Sequence, residues 1–253
     1  MAVTFEMLLL VCPLAFLAGF VDSVAGGGGL ISLPAYYLAG LSPTLAAGTN
    51  KLSASIGTLA ATYRYQKSGK IMWRAGLPAA LLALPGSALG TQVLLHIPQN
   101  AVRWLVIIAL PLVALVVLRQ KKDLVTEAKV PEKHLLLACG LIGFFIGFYD
   151  GLVGPGTGTF LILAFTMLLG MDAVAASGSA KVVNLASNVA SLTTLLISGS
   201  VLFGLGLPAA VFGMTGNLLG AGMTVKKGGG FIRVMLLLVL ALLLAKMVYD
   251  MVT

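Results

Sequence analysis

Two aspartates and two lysines stand inside apolar stretches of this 253-residue chain, each type at a repeated place. Asp22 lies in Gly19-Phe-Val-Asp-Ser-Val-Ala-Gly-Gly-Gly-Gly29 and Asp150 in Gly147-Phe-Tyr-Asp-Gly-Leu-Val-Gly-Pro-Gly-Thr157. Lys51 closes Ala47-Gly-Thr-Asn-Lys and Lys181 closes Ser177-Gly-Ser-Ala-Lys. A charged side chain within lipid is costly, so each of the four is a functional candidate. An ammonium there must face an anion, an acid or a cavity, or carry its head to the headgroups by snorkelling. Both lysines follow small polar residues, Thr49-Asn50 and Ser179, and both precede others: Ser53 and Ser55, or Asn184, Ser187 and Asn188. That setting suits the binding of a small anion by Lys51, Lys181, Thr49, Asn50 and Ser179. The aspartates admit two roles: pairing with a lysine across the repeats, or binding and releasing a coupling ion during transport.

The glycines beside each aspartate supply a second means of holding an anion. Gly27 and Gly28 in the first cluster, and Gly156 and Thr157 in the second, stand where a helix restarts and its first amides lack intrahelical partners. Glycine also lets the chain unwind and turn those amides toward a ligand. Close packing through small residues is the competing explanation, and the chain uses it in Gly86-Ser-Ala-Leu-Gly90 and Gly216-Asn-Leu-Leu-Gly220. Neither cluster is a nucleotide-binding loop, because no strand precedes it and no Lys-Ser/Thr follows.

The elements that must position these residues are membrane helices. Hydrophobic residues make up 59% of the chain and charged ones only 9%, where a soluble domain carries about 25% charge. Mean hydropathy is +1.04. An all-α polytopic membrane protein follows, and the alternating strands of a transmembrane barrel are missing from the sequence. The start, Met1-Ala-Val-Thr-Phe-Glu6, has no basic run, so the first apolar segment reads as a retained helix. Cys12 and Cys139 read as buried free thiols, Trp73 and Trp104 as interfacial anchors. His96 and His134 sit at segment edges. No catalytic or metal-ligand constellation emerges, so neither an enzyme nor a cofactor or metal site is expected. The net charge of +8 is a topology signal and not a nucleic-acid footprint.

Apolar segments run near 7–25, 29–40, 45–66, 74–95 and 101–118, then 134–153, 158–171, 174–197, 202–223 and 231–250. A span needs about 20 residues, so 29–40 and 158–171 are short. Each is open to a re-entrant or broken-helix hairpin as much as to two crossings. At an offset of 130, Lys51 matches Lys181, Ser68-Gly69 matches Ser198-Gly199 and Gly76-Leu-Pro78 matches Gly206-Leu-Pro208. Gly86, Gly90 and Arg103 match Gly216, Gly220 and Arg233 at the same offset, while Asp22 matches Asp150 at 128. The chain is thus a duplication: a first repeat at 1–118, a linker at 119–133 and a second repeat at 134–253. Basic residues at 64–74, in the linker and at 226–233 place those loops in the cytoplasm. The partner loops at 198–201 and 96–102 then fall outside. Equivalent loops on opposite sides make the repeats inverted, with both termini periplasmic. Inverted repeats interrupted at matching positions point to a transporter and its site.

The Gly-x-x-Asp-x-x-x-Gly-Gly-Gly-Gly stretch, the Ala-x-Gly-Thr-Asn-Lys51 element and the duplication resemble the sulfite exporter TauE/SafE family, in its bacterial inner-membrane branch. The second copy is looser, with Pro155 and Thr157 interrupting the glycines. The resemblance implies transport of small organosulfur anions such as sulfite, sulfonates or thiosulfate, coupled to a proton or sodium gradient across the inner membrane. The implied partners are a small anionic substrate, the coupling ion and the bilayer; a homodimer is an open assembly state, and nucleic acid is excluded. Two rivals remain at this stage, a passive anion channel and a non-transporting membrane scaffold.

Overall fold

The glycine breaks divide the chain as their chemistry dictates. A computed structural model describes residues 3–98, 101, 130–238 and 241. Helix α1 (Phe5–Ala25) ends at Gly26, whose φ of 77° closes it in the left-handed conformation, and α2 (Gly29–Leu38) restarts at once. Next come α3 (Pro43–Lys67) and α4 (Trp73–His96). After a 3-10 turn at Glu132–His134, α5 (Leu135–Leu152) leads to the second break. There Gly154 and Gly156 take φ of 89° and 83° before α6 (Thr157–Leu169). Then follow α7 (Ala173–Ile197), α8 (Phe203–Lys227) and α9 (Gly229–Leu238). The described residues contain no strand. The segment expected at 101–118, most of the linker at 119–133, the end of 231–250 and both chain ends lie outside the described residues.

Helices α2 and α6 have 10 and 13 residues, about 15 and 20 Å at 1.5 Å per residue. Neither covers a hydrocarbon core of about 30 Å. Five described helical segments are long and apolar enough to cross a membrane: Phe5–Ala25, Trp73–His96, Glu132–Leu152, Ala173–Ile197 and Phe203–Lys227. Helix α3 has the length, at 25 residues, but its buried face carries Thr49, Asn50, Lys51, Ser53 and Ser55. Its polarity follows from what it faces. Outward positions elsewhere in the bundle include large apolar side chains, as at Leu9, Leu81, Phe145 and Leu219.

Small residues let the long helices meet backbone to backbone, which is how packing is won where lipid removes the hydrophobic drive. A Cβ at Gly86 or Gly90 of α4 would strike the carbonyls of Phe144 and Phe148 in α5. A Cβ at Gly216 or Gly220 of α8 would strike those of Phe16 and Phe20 in α1. Both pairs run parallel, since residue numbers rise together along each contact. Helices α3 and α7 run antiparallel. The amide of Leu202, past the end of α7, donates to Thr49 Oγ1 near the start of α3 at 3.0 Å. The amide of Met72, past the end of α3, donates to Ser179 Oγ near the start of α7 at 2.9 Å. These two loop contacts are reciprocal, with Thr49 and Ser179 at equivalent places in the two halves.

Candidate functional site

The two glycine breaks touch each other at the centre of this arrangement. A Cβ at Gly26 would overlap the backbone of Gly158, and one at Gly158 would lie 2.5 Å from Gly26 Cα. Thr159 Oγ1 donates to the carbonyl of Ala25 at 2.7 Å and ties one break to the other. Around this crossing the four charged residues form two ion pairs, both between halves. Lys51 Nζ donates to Asp150 Oδ2 at 2.6 Å, and Lys181 Nζ donates to Asp22 Oδ2 at 2.7 Å. Burial makes pairing obligatory, because a single charge left here would be desolvated without compensation.

The pairs differ in their surroundings. Lys51 and Asp150 are 8% and 7% exposed at the side chain, and both border a cavity. Lys51 Nζ also donates to Asn188 Oδ1 at 3.0 Å, so two of its three protons are engaged. Thr157 Oγ1 donates to Asp150 Oδ1 at 2.8 Å, giving each carboxylate oxygen a donor. Lys181 is sealed at 0% behind Asp22, which keeps 23% of its side chain exposed and faces the same cavity.

That cavity has a volume of about 70 Å³, room for a few waters or one small polyatomic anion at the 10–15 Å³ of such space a water requires. Its wall includes Gly28 and Gly29 at the start of α2 and Thr157 and Gly158 at the start of α6. Two helix N-termini therefore open onto one chamber, each equivalent to roughly half a positive charge. Amide and hydroxyl groups complete it: Asn50 and Ser53 of α3, Asn184 and Asn188 of α7, Asn217 of α8 and Ser32 of α2. The chamber can receive an anion at the helix ends and at the remaining proton of Lys51. No set of three or more His, Cys, Asp or Glu that could hold a metal occurs among the described residues.

The expected site residues fall into two groups. Asp22, Gly28, Asn50, Lys51, Asp150 and Thr157 border the chamber together. Lys181, Thr49, Ser179, Gly27 and Gly156 do not. Thr49 and Ser179 hold the loops after α7 and α3, and Gly156 is the left-handed residue before α6. Asn217, inside the small-residue motif Gly216-Asn-Leu-Leu-Gly220, also borders the chamber, and an amide within an apolar helix is the sequence signal for it. Asn184 and Asn188 stood out as polar neighbours of Lys181 without an assigned role.

Comparison with known proteins places this architecture. The sulfite exporter TauE/SafE family matches residues 11–247. A probable membrane transporter protein of Haemophilus influenzae is 35% identical over 250 residues, 99% of this chain and 98% of that protein. The probable membrane transporter protein ORF9 of Sinorhizobium sp. is 33% identical, over 97% of this chain and 94% of its own. The probable membrane transporter protein YfcA of Escherichia coli strain K12 is also 33% identical, over 98% and 94%. With a family match across nearly the whole chain and relatives aligned end to end, this protein belongs to the sulfite exporter TauE/SafE family of membrane transporters.

Proposed function

We propose that the protein is a secondary transporter of small anions, organosulfur anions such as sulfite, sulfonates and thiosulfate first among them. It works in the inner membrane and is driven by a proton or sodium gradient. The observation that carries the proposal is the convergence of the α2 and α6 N-termini on one cavity beside Lys51. Helix ends aimed at a buried chamber from matching interrupted segments are the transporter form of an anion site. The anion is held by the amides at Gly28, Gly29 and Gly158 and by the third proton of Lys51, with Thr157 on the same wall. Asn50 offers a further donor. The aspartates hold the lysines in place and are the candidates for coupling.

The antiparallel course of α3 and α7, helices from equivalent places in the two halves, supports an inverted repeat. In that reading residues 1–118 and 134–253 rock against one another about the crossed breaks, with the 119–133 linker cytoplasmic and both termini periplasmic. The two ion pairs and the paired loop contacts are the surfaces that exchange between states.

A binding screen on purified protein with sulfite, thiosulfate, taurine, sulfoacetate and inorganic anions, followed by flux in proteoliposomes, tests the proposal. Saturable binding and gradient-driven flux at carrier rates are expected. Flux far above carrier turnover without coupling would make the protein a channel, and absence of both binding and flux would leave the scaffold.

A further inference from the structure

Two exposed apolar stripes end in a cluster of cations at one corner of the bundle. On α3, Leu59, Tyr63 and Lys67 are exposed and stand four residues apart, so they share one face. On α4, Trp73, Leu77 and Leu81 are exposed at the same spacing. Trp73 Nε1 donates to Gln66 Oε1 at 2.8 Å and joins the two stripes where the α3–α4 turn closes. That turn is held in place. Gly69 takes φ of 65°, the Lys70 amide donates to the carbonyl of Tyr65 at 3.0 Å, and the Met72 amide donates to Ser179 Oγ. Lys67 and Lys70 stand exposed on it, and Arg74 follows in the first turn of α4.

The charge at this corner is not balanced by the described residues. Glu132 accepts from Arg74 Nη1 at 2.6 Å and so leaves Lys67 and Lys70 unopposed. Asp172, at the same end of the bundle, caps α7 through the amides of Val174 and Ala175. The duplication supplies a matched corner for comparison. At the offset of 130, Lys67, Lys70 and Trp73 correspond to Ile197, Ser200 and Phe203 of the α7–α8 corner. Leu59, Leu77 and Leu81 correspond to Val189, Leu207 and Val211, all exposed. The paired apolar stripes therefore belong to the architecture, and the cations belong to one corner alone. Orientation on insertion favours basic residues on one side of the membrane, but it does not require that they crown two apolar stripes.

We infer that the α3–α4 corner is a binding site for an anionic phospholipid. The phosphate sits at Lys67 and Lys70, and the acyl chains lie along the Leu59–Tyr63 and Leu77–Leu81 stripes. Basic clusters beside a membrane helix draw acidic headgroups, and Trp73 marks the headgroup level at which they meet. A free phosphate could use the cations but not the stripes. The site stands apart from the chamber and does not depend on what the chamber carries.

Quenching by brominated lipid reads this corner directly. The chain has two tryptophans, so Trp104→Phe leaves Trp73 as the sole fluorophore. The full-length variant is reconstituted in dioleoylphosphatidylcholine vesicles containing either brominated phosphatidylglycerol or brominated phosphatidylcholine. Phosphatidylglycerol should be preferred by at least about fivefold, with the ratio falling toward one at high salt. Adding Lys67→Gln and Lys70→Gln, both at exposed positions, should abolish the preference. A reporter at the matched corner, Phe203→Trp combined with Trp73→Phe and Trp104→Phe, should show none. Equal quenching by the two lipids at Trp73, a preference that survives loss of both lysines, or the same preference at the matched corner overturns the inference. Displacement of brominated phosphatidylglycerol by glycerol 1-phosphate would make this a site for free phosphate and overturns it as well.

Discussion

Removing the charge of Asp150 isolates what the Lys51 pair contributes. Asp150→Asn keeps the shape and leaves an oxygen for Thr157 Oγ1, which now donates to Asp150 Oδ1 at 2.8 Å. Only the carboxylate opposite Lys51 is lost. At 2.6 Å the gross attraction is about 6 kcal/mol for an effective dielectric of roughly 20. Desolvation of the two ions offsets much of this, so the pair's net worth is small while its halves are expensive alone. Asp150→Asn and Lys51→Met should each lower unfolding stability by about 3–5 kcal/mol. The double variant removes both charges and should lose no more than either single variant, a coupling energy of at least about 3 kcal/mol. Denaturant unfolding in mild detergent micelles, with all four proteins at one pH, measures the cycle. Additive losses, with coupling under about 0.5 kcal/mol, would show that the buried pair seen here does not act as a pair.

Gly158→Ala should cost about 1–3 kcal/mol, because its methyl enters the space of the Gly26 backbone. Gly230→Ala, which meets nothing within 4 Å, should stay within about 0.5 kcal/mol in the same unfolding assay. Asp22→Asn, which leaves Lys181 facing a neutral amide across the chamber from Lys51 and Asp150, should retain anion binding and lose the pH dependence of flux per folded protein in proteoliposomes. Unchanged pH dependence would move coupling to another group. A dual reporter should place the 119–133 linker in the cytoplasm and a fusion after Thr253 in the periplasm, and cytoplasmic activity at Thr253 would break the inverted-repeat reading. Thiosulfate, a dianion, should bind more tightly as sodium or proton activity rises, while ethanesulfonate, a monoanion, should not. Equal dependence for both would refute the charge argument below.

The helix breaks were legible because glycine at positive φ leaves a mark in sequence: α1 stops at Gly26 and α6 starts within a residue of the expected 158. The charged residues were legible because ionised groups are rare in apolar runs. Which aspartate each lysine meets was not legible, since Lys51 and Asp150 are joined only by the fold and sit 99 residues apart. The same holds for Thr49 and Ser179. A hydroxyl beside a buried lysine suggests a ligand contact, yet each takes its donor from the loop after the opposite helix. Asn217 was hidden by its neighbours Gly216 and Gly220, whose spacing already had a sufficient explanation in packing against α1. Composition reports that a polar group is present and says nothing about whether its partner is protein or ligand.

Pairing the lysines changes where the charge for an anion comes from. Taken alone, Lys51 and Lys181 suggest two positive charges waiting for a substrate. In the folded protein Asp22 and Asp150 cancel them, so the side chains around the chamber sum to zero. What remains is the field of the α2 and α6 N-termini, together worth about one elementary charge, and the single unengaged proton of Lys51. A monoanion meets that field and leaves the chamber near neutral. A dianion leaves one charge uncompensated in a buried site, which costs several kcal/mol unless a cation arrives or a carboxylate takes a proton. On the proposed anion-transport reading, coupling needs no separate site, because the second charge of a dianion beside two neutral ion pairs would require the entry of a positive ion.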